Sequence, residues 1–564
     1  MTRLLLLLLL SGLLTLTWAL EESPRVKTPQ GAIRGYYKVS ANGRQYEAYE
    51  GIPYALPPIG KLRFKPPQRL PPWMGELPAT KFGSPCLQYA QIPEDPNDRV
   101  EGSEDCLYLN IYVPNERQTK SLPVLFWIHG GAFQYGSGMY MGAKYLMDRD
   151  VIFVTINYRL GMLGFLSTED EVVPGNMGLK DQSMALRWIS ENIEWFGGDP
   201  NRVTLVGLSA GGASVHYHYL SPMSAGLFQG GISISGTAFD CWTQTENSSQ
   251  KAKQLGALMG CPTNNVREMV RCLKYRPGRT LVESLGQFMP FYYNPFTPFG
   301  PVPEKYGDEP FIDRTPAEIV SSGDVQDVPW ITGVTSEEGL YPVAEFIAIP
   351  EALKTLDNNW DIIAPSFLDY NYTVPIEKHV EVAKLIRKEY FGSKKIDETT
   401  TKPLIQVASD RFFVVDSEKA ARMVAKVNKE PVWYYYYTFR GAHSLSDALS
   451  GTTTNYGVSH GDDAYHVVDT PYFDPTTTLD DRKIQQVLID LWVSFATHGV
   501  PNVNDAQWPR LNPNEKALHY LHIGGPQNIR MDSTINFGHK HFWNSLNFNE
   551  NKVDTTFDAL KEEL

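Results

Sequence analysis

Short apolar runs alternate with segments of helical spacing along the chain. Residues Leu122–Ile128 and 151–158 are continuous apolar or β-branched runs, a pattern typical of strands buried on both faces. Residues 179–196 repeat apolar side chains at helical spacing until two glycines stop the pattern, which predicts a helix.

The same alternation continues toward the C-terminus. Residues 203–206 predict a strand, 207–211 a tight turn, and the segment from there through His216 to Leu220 a helix. Three further strands are predicted at 231–235, 329–334 and Val432–Tyr437, and a helix at 480–497, where acids precede the apolar face and Gly499 follows it. This alternation predicts an α/β protein with a mostly parallel sheet, whose inserted segments form the walls of a pocket.

Composition narrows the class of protein. The chain has 564 residues, 42% of them hydrophobic and 20% charged, which is typical of a globular protein. Lys and Arg total 51 against 64 Asp and Glu, a formal net charge of −13. Because phosphate binding needs a basic excess, we expect no nucleic-acid partner.

The N-terminus has the pattern of a signal peptide. A basic start at Arg3 precedes an apolar run and then small residues before Glu21. We expect residues 1–19 to be cleaved after Ala19; the alternative is a membrane anchor, although the apolar run is slightly short for a span. The mature chain, 20–564, is predicted to be one domain without a membrane span, in the secretory pathway.

The five cysteines fit that oxidising compartment. Cys86 and Cys106 can close one loop and Cys261 and Cys272 another, but sequence alone does not decide the pairing. Cys241 is left over, as a buried thiol or an intermolecular partner.

Three short motifs concern glycosylation and localisation. Asn247 and Asn371 begin N-x-Ser/Thr sequons, which predict glycosylation if they lie on the surface. The last four residues, Lys561, Glu562, Glu563 and Leu564, are similar to an endoplasmic-reticulum retrieval signal, so contact with a retrieval receptor and secretion are both open.

The sequence Gly-Leu-Ser-Ala-Gly at 207–211 carries the candidate nucleophile, Ser209. It lies between a predicted strand and a predicted helix, the context that a G-x-S-x-G motif requires. Small flanking residues permit a strained turn that exposes the hydroxyl, and the helix directs N–H groups to the same point. The alternative, a turn without chemistry, is less consistent with these flanks.

A serine nucleophile needs a base and an orienting carboxylate. Among the downstream histidines, His460 lies in a loop between two glycines, whereas His466 is the alternative with a packing role. Glu337 and Glu338 follow a predicted buried strand, where a catalytic carboxylate is well fixed.

Upstream, the segment His-Gly-Gly-Ala-Phe at 129–133 follows a predicted strand, which is the position of an oxyanion loop. Its main-chain N–H groups can face the oxygen that gains charge in a tetrahedral intermediate. A structural glycine turn is the alternative, which the pairing with Ser209 disfavours.

Several of these motifs together resemble one family. The stretch 196–211 and the segment EDCLYLNIYVP at 104–114 are similar to the two signatures of type B carboxylesterases, the carboxylesterase and cholinesterase family. Similarity extends from Gly-Ile-Pro-Tyr-Ala at 51–55 through 157–161 and 178–182 to the His460 loop, and the sequence most resembles insect esterases.

The resemblance implies an α/β-hydrolase fold with an active-site gorge and assigns roles residue by residue. It implies Ser209 as nucleophile, Glu338 as acid and His460 as base, and it implies the disulfides Cys86–Cys106 and Cys261–Cys272. The implied oxyanion donors are the N–H groups of Gly131, Ala132 and Ala210. Ala132 departs from the third glycine of many members, and Cys241 has no partner in this scheme.

The residues also restrict the position within that family. Cholinesterases carry Glu before the nucleophile and Trp in the first disulfide loop, where this chain has Leu208 and no Trp, so choline esters are poor candidates. Juvenile hormone esterases usually carry Gln there, which weakens that assignment too. The aromatic segment 292–299 is either part of an acyl pocket or ordinary core.

The resulting prediction is a carboxylic ester hydrolase that forms an acyl-enzyme and acts on aliphatic or aryl esters, whether xenobiotic, lipid-derived, pheromone or odorant. It needs no cofactor or metal, and its partners are small-molecule esters. Two alternatives are a slow protein that sequesters esters or organophosphates and a non-enzymatic adhesion protein, although the chain keeps all three implied triad residues.

Overall fold

A computed structural model describes residues 23–93, 95, 97–115, 121–503, 506–546, 548, 550 and 552. The predicted signal peptide and the last four residues lie outside this part of the chain, so both stay predictions. In the described part, the largest sheet has eleven strands. In chain order they are β1 Tyr36–Val39, β2 Gln45–Pro53, β3 Tyr108–Pro114, β4 Leu122–Ile128, β5 Ile152–Ile156, β6 Gly198–Leu208, β7 Gly230–Ile234, β8 Trp330–Thr335, β9 Val432–Tyr437, β10 Leu518–Ile523 and β11 Ile529–Thr534.

The sheet is parallel in its centre and antiparallel at both edges. Its spatial order is β11-β10-β9-β8-β7-β6-β4-β5-β3-β2-β1. The six pairings from β10 to β5 are parallel, and the outer pairings β10–β11, β5–β3, β3–β2 and β2–β1 are antiparallel. The prediction of a mostly parallel sheet is therefore confirmed for the centre, whereas the sheet as a whole is mixed.

Two smaller sheets lie near the N-terminus. One contains Arg25–Thr28, Gly31–Arg34 and Glu76–Pro78, and the other pairs Gln88–Tyr89 with Val100–Glu101. Gln88–Tyr89 begins two residues after Cys86, so this short hairpin lies inside the first disulfide loop.

Helices flank the sheet. They are α1 Gly161–Phe165, α2 Met177–Asn192, α3 Ala210–Leu220, α4 Ser248–Leu258, α5 Val266–Tyr275, α6 Gly278–Glu283, α7 Pro316–Ser322, α8 Leu340–Ile347, α9 Pro350–Asn358, α10 Trp360–Phe367, α11 His379–Phe391, α12 Thr401–Ser409, α13 Val415–Val427, α14 Leu445–Ser450, α15 Leu479–His498 and α16 Lys540–Ser545. A π-helical segment, Asp410–Val414, joins α12 to α13. None of the described helices is long and apolar enough to cross a membrane.

Alternate residues of β4 belong to two different cores. Val124, Phe126 and Ile128 pack on one face of the sheet, and Leu125 and Trp127 pack on the other. All are buried, because side chains alternate across a strand and helices cover both faces here. That double burial is why the strand has the continuous apolar pattern from which it was predicted.

The helix predicted at 480–497 is α15. Thr478 and Asp481 form a capping box at its N-terminus, and Gly499 ends it with φ 69°. The predicted helix 179–196 begins two residues earlier, and its last turn is the 3₁₀ segment Ile193–Phe196. The predicted strands 203–206 and 151–158 also differ in their ends, since β6 is longer and β5 shorter.

Two disulfides occur in the described chain. Cys86 pairs with Cys106 and Cys261 with Cys272, the pairing that the family resemblance implies. Cys241 is a free, buried thiol.

Candidate active site

Ser209 lies at the C-terminal edge of the sheet, between β6 and α3. Its backbone has φ 61° and ψ −124°, a conformation that is rare for a residue with a side chain. Its N–H donates to Ile234 O at 2.8 Å, which ties the turn to the next strand. Gly211 is required here, because a Cβ atom would lie 2.0 Å from Ile128 O. The strained turn of a G-x-S-x-G motif is therefore present.

His460 and Glu338 form a buried pair. The distance between His460 Nδ1 and Glu338 Oε2 is 2.6 Å, and the side chains are 4% and 0% exposed. Glu338 follows β8, the second strand beyond that of the serine, so the parallel centre of the sheet brings the two sequence segments to one edge. This contact fixes the orientation of the imidazole and leaves Nε2 as its other nitrogen.

The second carboxylate oxygen of Glu338 is also held. Oε1 accepts hydrogen bonds from Thr335 N at 2.7 Å and from Ser235 Oγ at 2.5 Å. Ser235 was not singled out in the sequence, although its place directly after β7 was a usable signal. These donors balance the charge of a carboxylate that has no contact with water.

Aromatic rings enclose the imidazole of His460. The ring centroids of Phe413 and Tyr341 lie 4.6 and 5.3 Å from that of His460. Phe413 belongs to the π-helical segment, and Tyr341 lies in α8. Their contribution was not evident from sequence, because both residues are distant in the chain and have the composition of ordinary core.

The loop 129–133 packs directly on the serine turn. A Cβ at Gly130 would lie 3.0 Å from Ser209 Cβ, and a Cβ at Gly131, where φ is 102°, would lie 2.0 Å from Tyr135 O. Ala132 has φ 54°, a left-handed conformation that favours glycine, and Gln134 Nε2 donates to its carbonyl at 3.0 Å.

The backbone N–H groups of Gly131, Ala132 and Ala210 donate to no other protein atom within the described part of the chain. His129, at the start of the loop, stacks on Tyr158 with a centroid distance of 4.3 Å. Burial lowers the pKa of His129 to about 4, so this histidine is neutral and structural at neutral pH.

Ser209, His460, Gly130 and Gly131 line one cavity of about 640 Å³. This volume is in the range of cavities that hold drug-sized ligands. Leu208, Tyr341, Phe82, Met139, Leu445 and Tyr465 are among its apolar and aromatic lining residues. The aromatic segment 292–299 contributes none of the lining residues of this cavity. Phe296 and Phe299 are buried and Phe296 packs against Trp242, so these two rings belong to the core, whereas Tyr292 is exposed.

Two neighbours of the pair have different surroundings. Glu337 accepts hydrogen bonds from Ser336 Oγ and Val458 N rather than from a histidine. His466 Nδ1 lies 2.7 Å from Asp462 O, which requires it to be the donor, and the ring does not line the cavity. Both residues support the loop that carries His460.

Asp462 and Asp463 hold the same loop from within. Asp462 Oδ2 accepts from Ser459 N at 2.8 Å, and Asp463 Oδ2 accepts from Tyr435 OH at 2.7 Å. Burial raises the pKa of Asp462 to about 7 and that of Asp463 to about 6. Among the residues that the structure describes, no group of three or more His, Cys, Asp or Glu is arranged to hold a metal ion.

The two sequon asparagines differ in exposure. Asn247 is exposed at the N-terminus of α4, and Asn371 is half-buried. Glycosylation stays a prediction for both.

A sheet with a parallel centre, and a strained strand–serine–helix turn at its C-terminal edge, define an α/β-hydrolase. The model of the "Carboxylesterase family" matches residues 22–543. A carboxylic ester hydrolase from Bombus ignitus is 54% identical over 97% of this chain and 98% of its own length. Venom carboxylesterase-6 from Apis mellifera is 53% identical over 97% of this chain and 99% of its own length.

A solved structure has the same fold. The crystal structure of juvenile hormone esterase from Manduca sexta, with OTFP covalently attached, matches with a TM-score of 0.82 and 30% identity, over 93% of this chain and 100% of that chain. The chain belongs to the carboxylesterase family and is a carboxylesterase.

Proposed function

We propose that this carboxylesterase hydrolyses aliphatic or aryl esters by two-step acyl transfer through Ser209, with His460 as base and Glu338 as the orienting acid. The observation that carries the proposal is the 2.6 Å contact between His460 Nδ1 and Glu338 Oε2, at a cavity that the serine and histidine both line. The overall activity follows from the family, and the residue roles are the part that needs a test.

In the first step, His460 Nε2 takes the proton of Ser209 Oγ as that oxygen attacks the ester carbonyl carbon. The imidazolium then protonates the departing alkoxide, which leaves as an alcohol. In the second step water attacks the acyl-enzyme in the same way and releases the acid. Glu338 holds the required tautomer and stabilises the imidazolium, as the carboxylate does in other triads.

The carbonyl oxygen becomes negatively charged in each tetrahedral intermediate. The unused N–H groups of Gly131, Ala132 and Ala210 support their assignment as its donors. One such donor typically contributes about 10²- to 10³-fold in rate. Ala132 reaches its left-handed conformation at an energetic cost, which the buried bond from Gln134 offsets.

Two features of the lining argue against quaternary ammonium esters as substrates. Leu208, which directly precedes Ser209 in the sequence, lines the cavity, and no tryptophan is among the lining residues of the described chain. The substrate classes proposed are therefore xenobiotic, lipid-derived, pheromone or odorant esters.

We also infer that the enzyme passes through the secretory pathway. Its two disulfides fit an oxidising compartment, and one relative bears the name of a venom protein. Retention in the endoplasmic reticulum through the last four residues, and contact with a retrieval receptor, stay predictions.

The test is hydrolysis of p-nitrophenyl esters of increasing acyl length, with organophosphate titration to count active serines. Ser209→Ala should lower kcat by about 10⁴- to 10⁶-fold with unchanged circular dichroism. Substantial turnover by the folded variant would refute the assignment of the nucleophile. A burst equal to the serine count, followed by near silence, would instead indicate a sequestering protein; no labelling of folded wild type would indicate a non-enzymatic binding protein.

A further inference from the structure

A second cavity, of about 190 Å³, shares no lining residue with the catalytic cavity. It lies beside the N-terminal turn of α4, and its lining includes Glu246, Lys251, Thr297, Asp369 and Tyr372. Drug-sized ligands occupy about 300–1,000 Å³, so this cavity fits a single ring rather than an extended ester.

Several polar groups on its wall have no hydrogen-bond or ion-pair partner among the described residues. Lys251 is 8% exposed, and its ammonium group forms no ion pair with any carboxylate of the described residues. It lies 4.9 Å from the centroid of Tyr372. The hydroxyl oxygens of Thr245 and Thr297 are buried without a hydrogen-bond partner in the described chain. Because unpaired buried polar groups are costly, this set indicates a polar ligand.

Carboxyl groups of Glu246, Asp369 and Glu550 also line the wall, together with a second ammonium group, that of Lys552. Burial raises the pKa of Glu246 to about 7 and that of Asp369 to about 6. A full anion would face these carboxyls, and a full cation would face Lys251. A neutral ligand with many hydroxyl groups can accept from the ammonium and donate to the carboxylates, so it fits both.

Direct sequence neighbours of both sequon asparagines line this cavity, whereas the asparagines themselves do not. Glu246 directly precedes Asn247, and Lys251 lies one helical turn later, with its N–H donating to Asn247 O at 3.1 Å. Asn371 directly precedes Tyr372 and is two residues after Asp369. Its side-chain carbonyl oxygen is buried without a partner in the described chain.

We propose that this cavity seats the first N-acetylglucosamine of an N-linked glycan carried by Asn247 or Asn371. The wall offers aromatic rings, ammonium groups, carboxyls and hydroxyls to one sugar ring. The proposal requires that the predicted glycosylation occurs on at least one of these asparagines, and it does not depend on the catalytic roles of Ser209, His460 and Glu338. During secretion the asparagine amide nitrogen bonds to C1 of the sugar, a lipid-linked pyrophosphate leaves, and the amide loses one proton.

The experiment uses the full chain secreted from insect cells, with mass spectrometry of both asparagines. Asn247→Gln and Asn371→Gln are compared in thermal unfolding, and the variant that loses the seated sugar should have a Tm lower by about 2–4 °C. An endoglycosidase that leaves one sugar on each asparagine should not change the Tm of the wild type. The two variants show which asparagine supplies the sugar.

Lys251→Met tests the cavity itself. Whatever its own effect on Tm, it should abolish the Tm difference caused by loss of the glycan, whereas Lys253→Met, on the exposed side of the same helix, should preserve that difference. Thr297→Val is a second variant in case Lys251→Met does not fold. An amidase should also release the seated glycan about tenfold faster from folded Lys251→Met than from the wild type.

Three results would overturn the proposal. They are unmodified asparagines at both positions, an unchanged Tm in both glutamine variants, and strictly additive effects of Lys251→Met and glycan loss. Loss of esterase activity in Ser209→Ala leaves all three readouts unaffected, so the two proposals fail separately.

Discussion

Two buried histidines, six residues apart, each lie near a carboxylate, yet their surroundings differ. His460 Nδ1 lies 2.6 Å from Glu338, and the ring lines the cavity beside Ser209. His466 Nδ1 donates to the backbone oxygen of Asp462, and its Nε2 lies 3.7 Å from Asp481 Oδ1. Neither His466 nor Asp481 lines the cavity. The comparison indicates that a histidine–carboxylate pair is a candidate base only where the ring also lines a cavity that contains a nucleophile.

The carboxylates differ in the same way. Glu338 accepts from Thr335 N and Ser235 Oγ, which hold it against the imidazole. Asp481 accepts from Thr478 N at 2.9 Å and Thr478 Oγ1 at 2.7 Å, so it caps α15. We therefore expect the first pair to serve the proposed chemistry and the second to serve stability, and substitutions can separate the two.

The largest expected effect is on the two histidines. His460→Ala should lower kcat for p-nitrophenyl butyrate by about 10⁴-fold or more, because the serine loses its base, with little change in Tm. His466→Ala is the matched control: it should keep kcat within tenfold and lower the Tm, because it removes a buried ring and its hydrogen bond. The opposite pattern would move the base to His466.

A smaller effect is expected for the two adjacent glutamates. Glu338→Gln keeps the shape of the side chain but removes the charge and favours the wrong tautomer of His460, so kcat should fall by about 10³- to 10⁴-fold. Glu337→Gln retains an oxygen that can accept from Val458 N, so less than tenfold is expected. Steady-state kinetics on the two purified variants makes the comparison, and a larger loss in Glu337→Gln would contradict the assignment of the acid.

The central strands were predictable from sequence because they are buried on both faces. Leu122–Ile128 and Val432–Tyr437 have the predicted bounds. The outer strands β1, β2, β3, β10 and β11 were missed. The edge strands β1 and β11 have a solvated face and weak apolar patterning, whereas β3 is largely buried and its apolar run was used only as a family signature. In β2 the register also shifts between Tyr49 and Ile52, which breaks the alternation on which a prediction depends.

The site shows a similar limit. The strand–serine–helix pattern around Ser209 was evident in the residues, but the choice of Glu338 over Glu337 came from the family resemblance. Which of two neighbouring carboxylates faces the histidine depends on the turn that follows β8, where Thr335 N binds Glu338. Ser235, Phe413 and Tyr341 were missed because their positions around His460 arise only from tertiary packing.

The smallest effect concerns Asp481, and it is an effect on stability alone. Burial opposes ionisation of this carboxyl, but His466 and the hydrogen bonds from Thr478 prevail and hold its pKa below the usual range. Asp481→Asn places an NH₂ group against these donors, so the free energy of unfolding at pH 7 should fall by about 1–2 kcal/mol. Urea denaturation at pH 7 measures this difference, and kcat/KM should stay within twofold of the wild type.

The sign of its pH dependence follows from the lowered pKa. A carboxyl with a lower pKa in the folded state stabilises the fold above the unfolded pKa, about 3.9, and this stabilisation is lost as the pH falls through the folded pKa. The difference between wild type and Asp481→Asn should therefore shrink as the pH falls below about 5. Asp480→Asn, at the exposed neighbouring position, should change stability by less than about 0.5 kcal/mol at either pH. A difference that grows on acidification, or an equal effect at Asp480, would show that the carboxylate of Asp481 is not the stabilising partner beside His466.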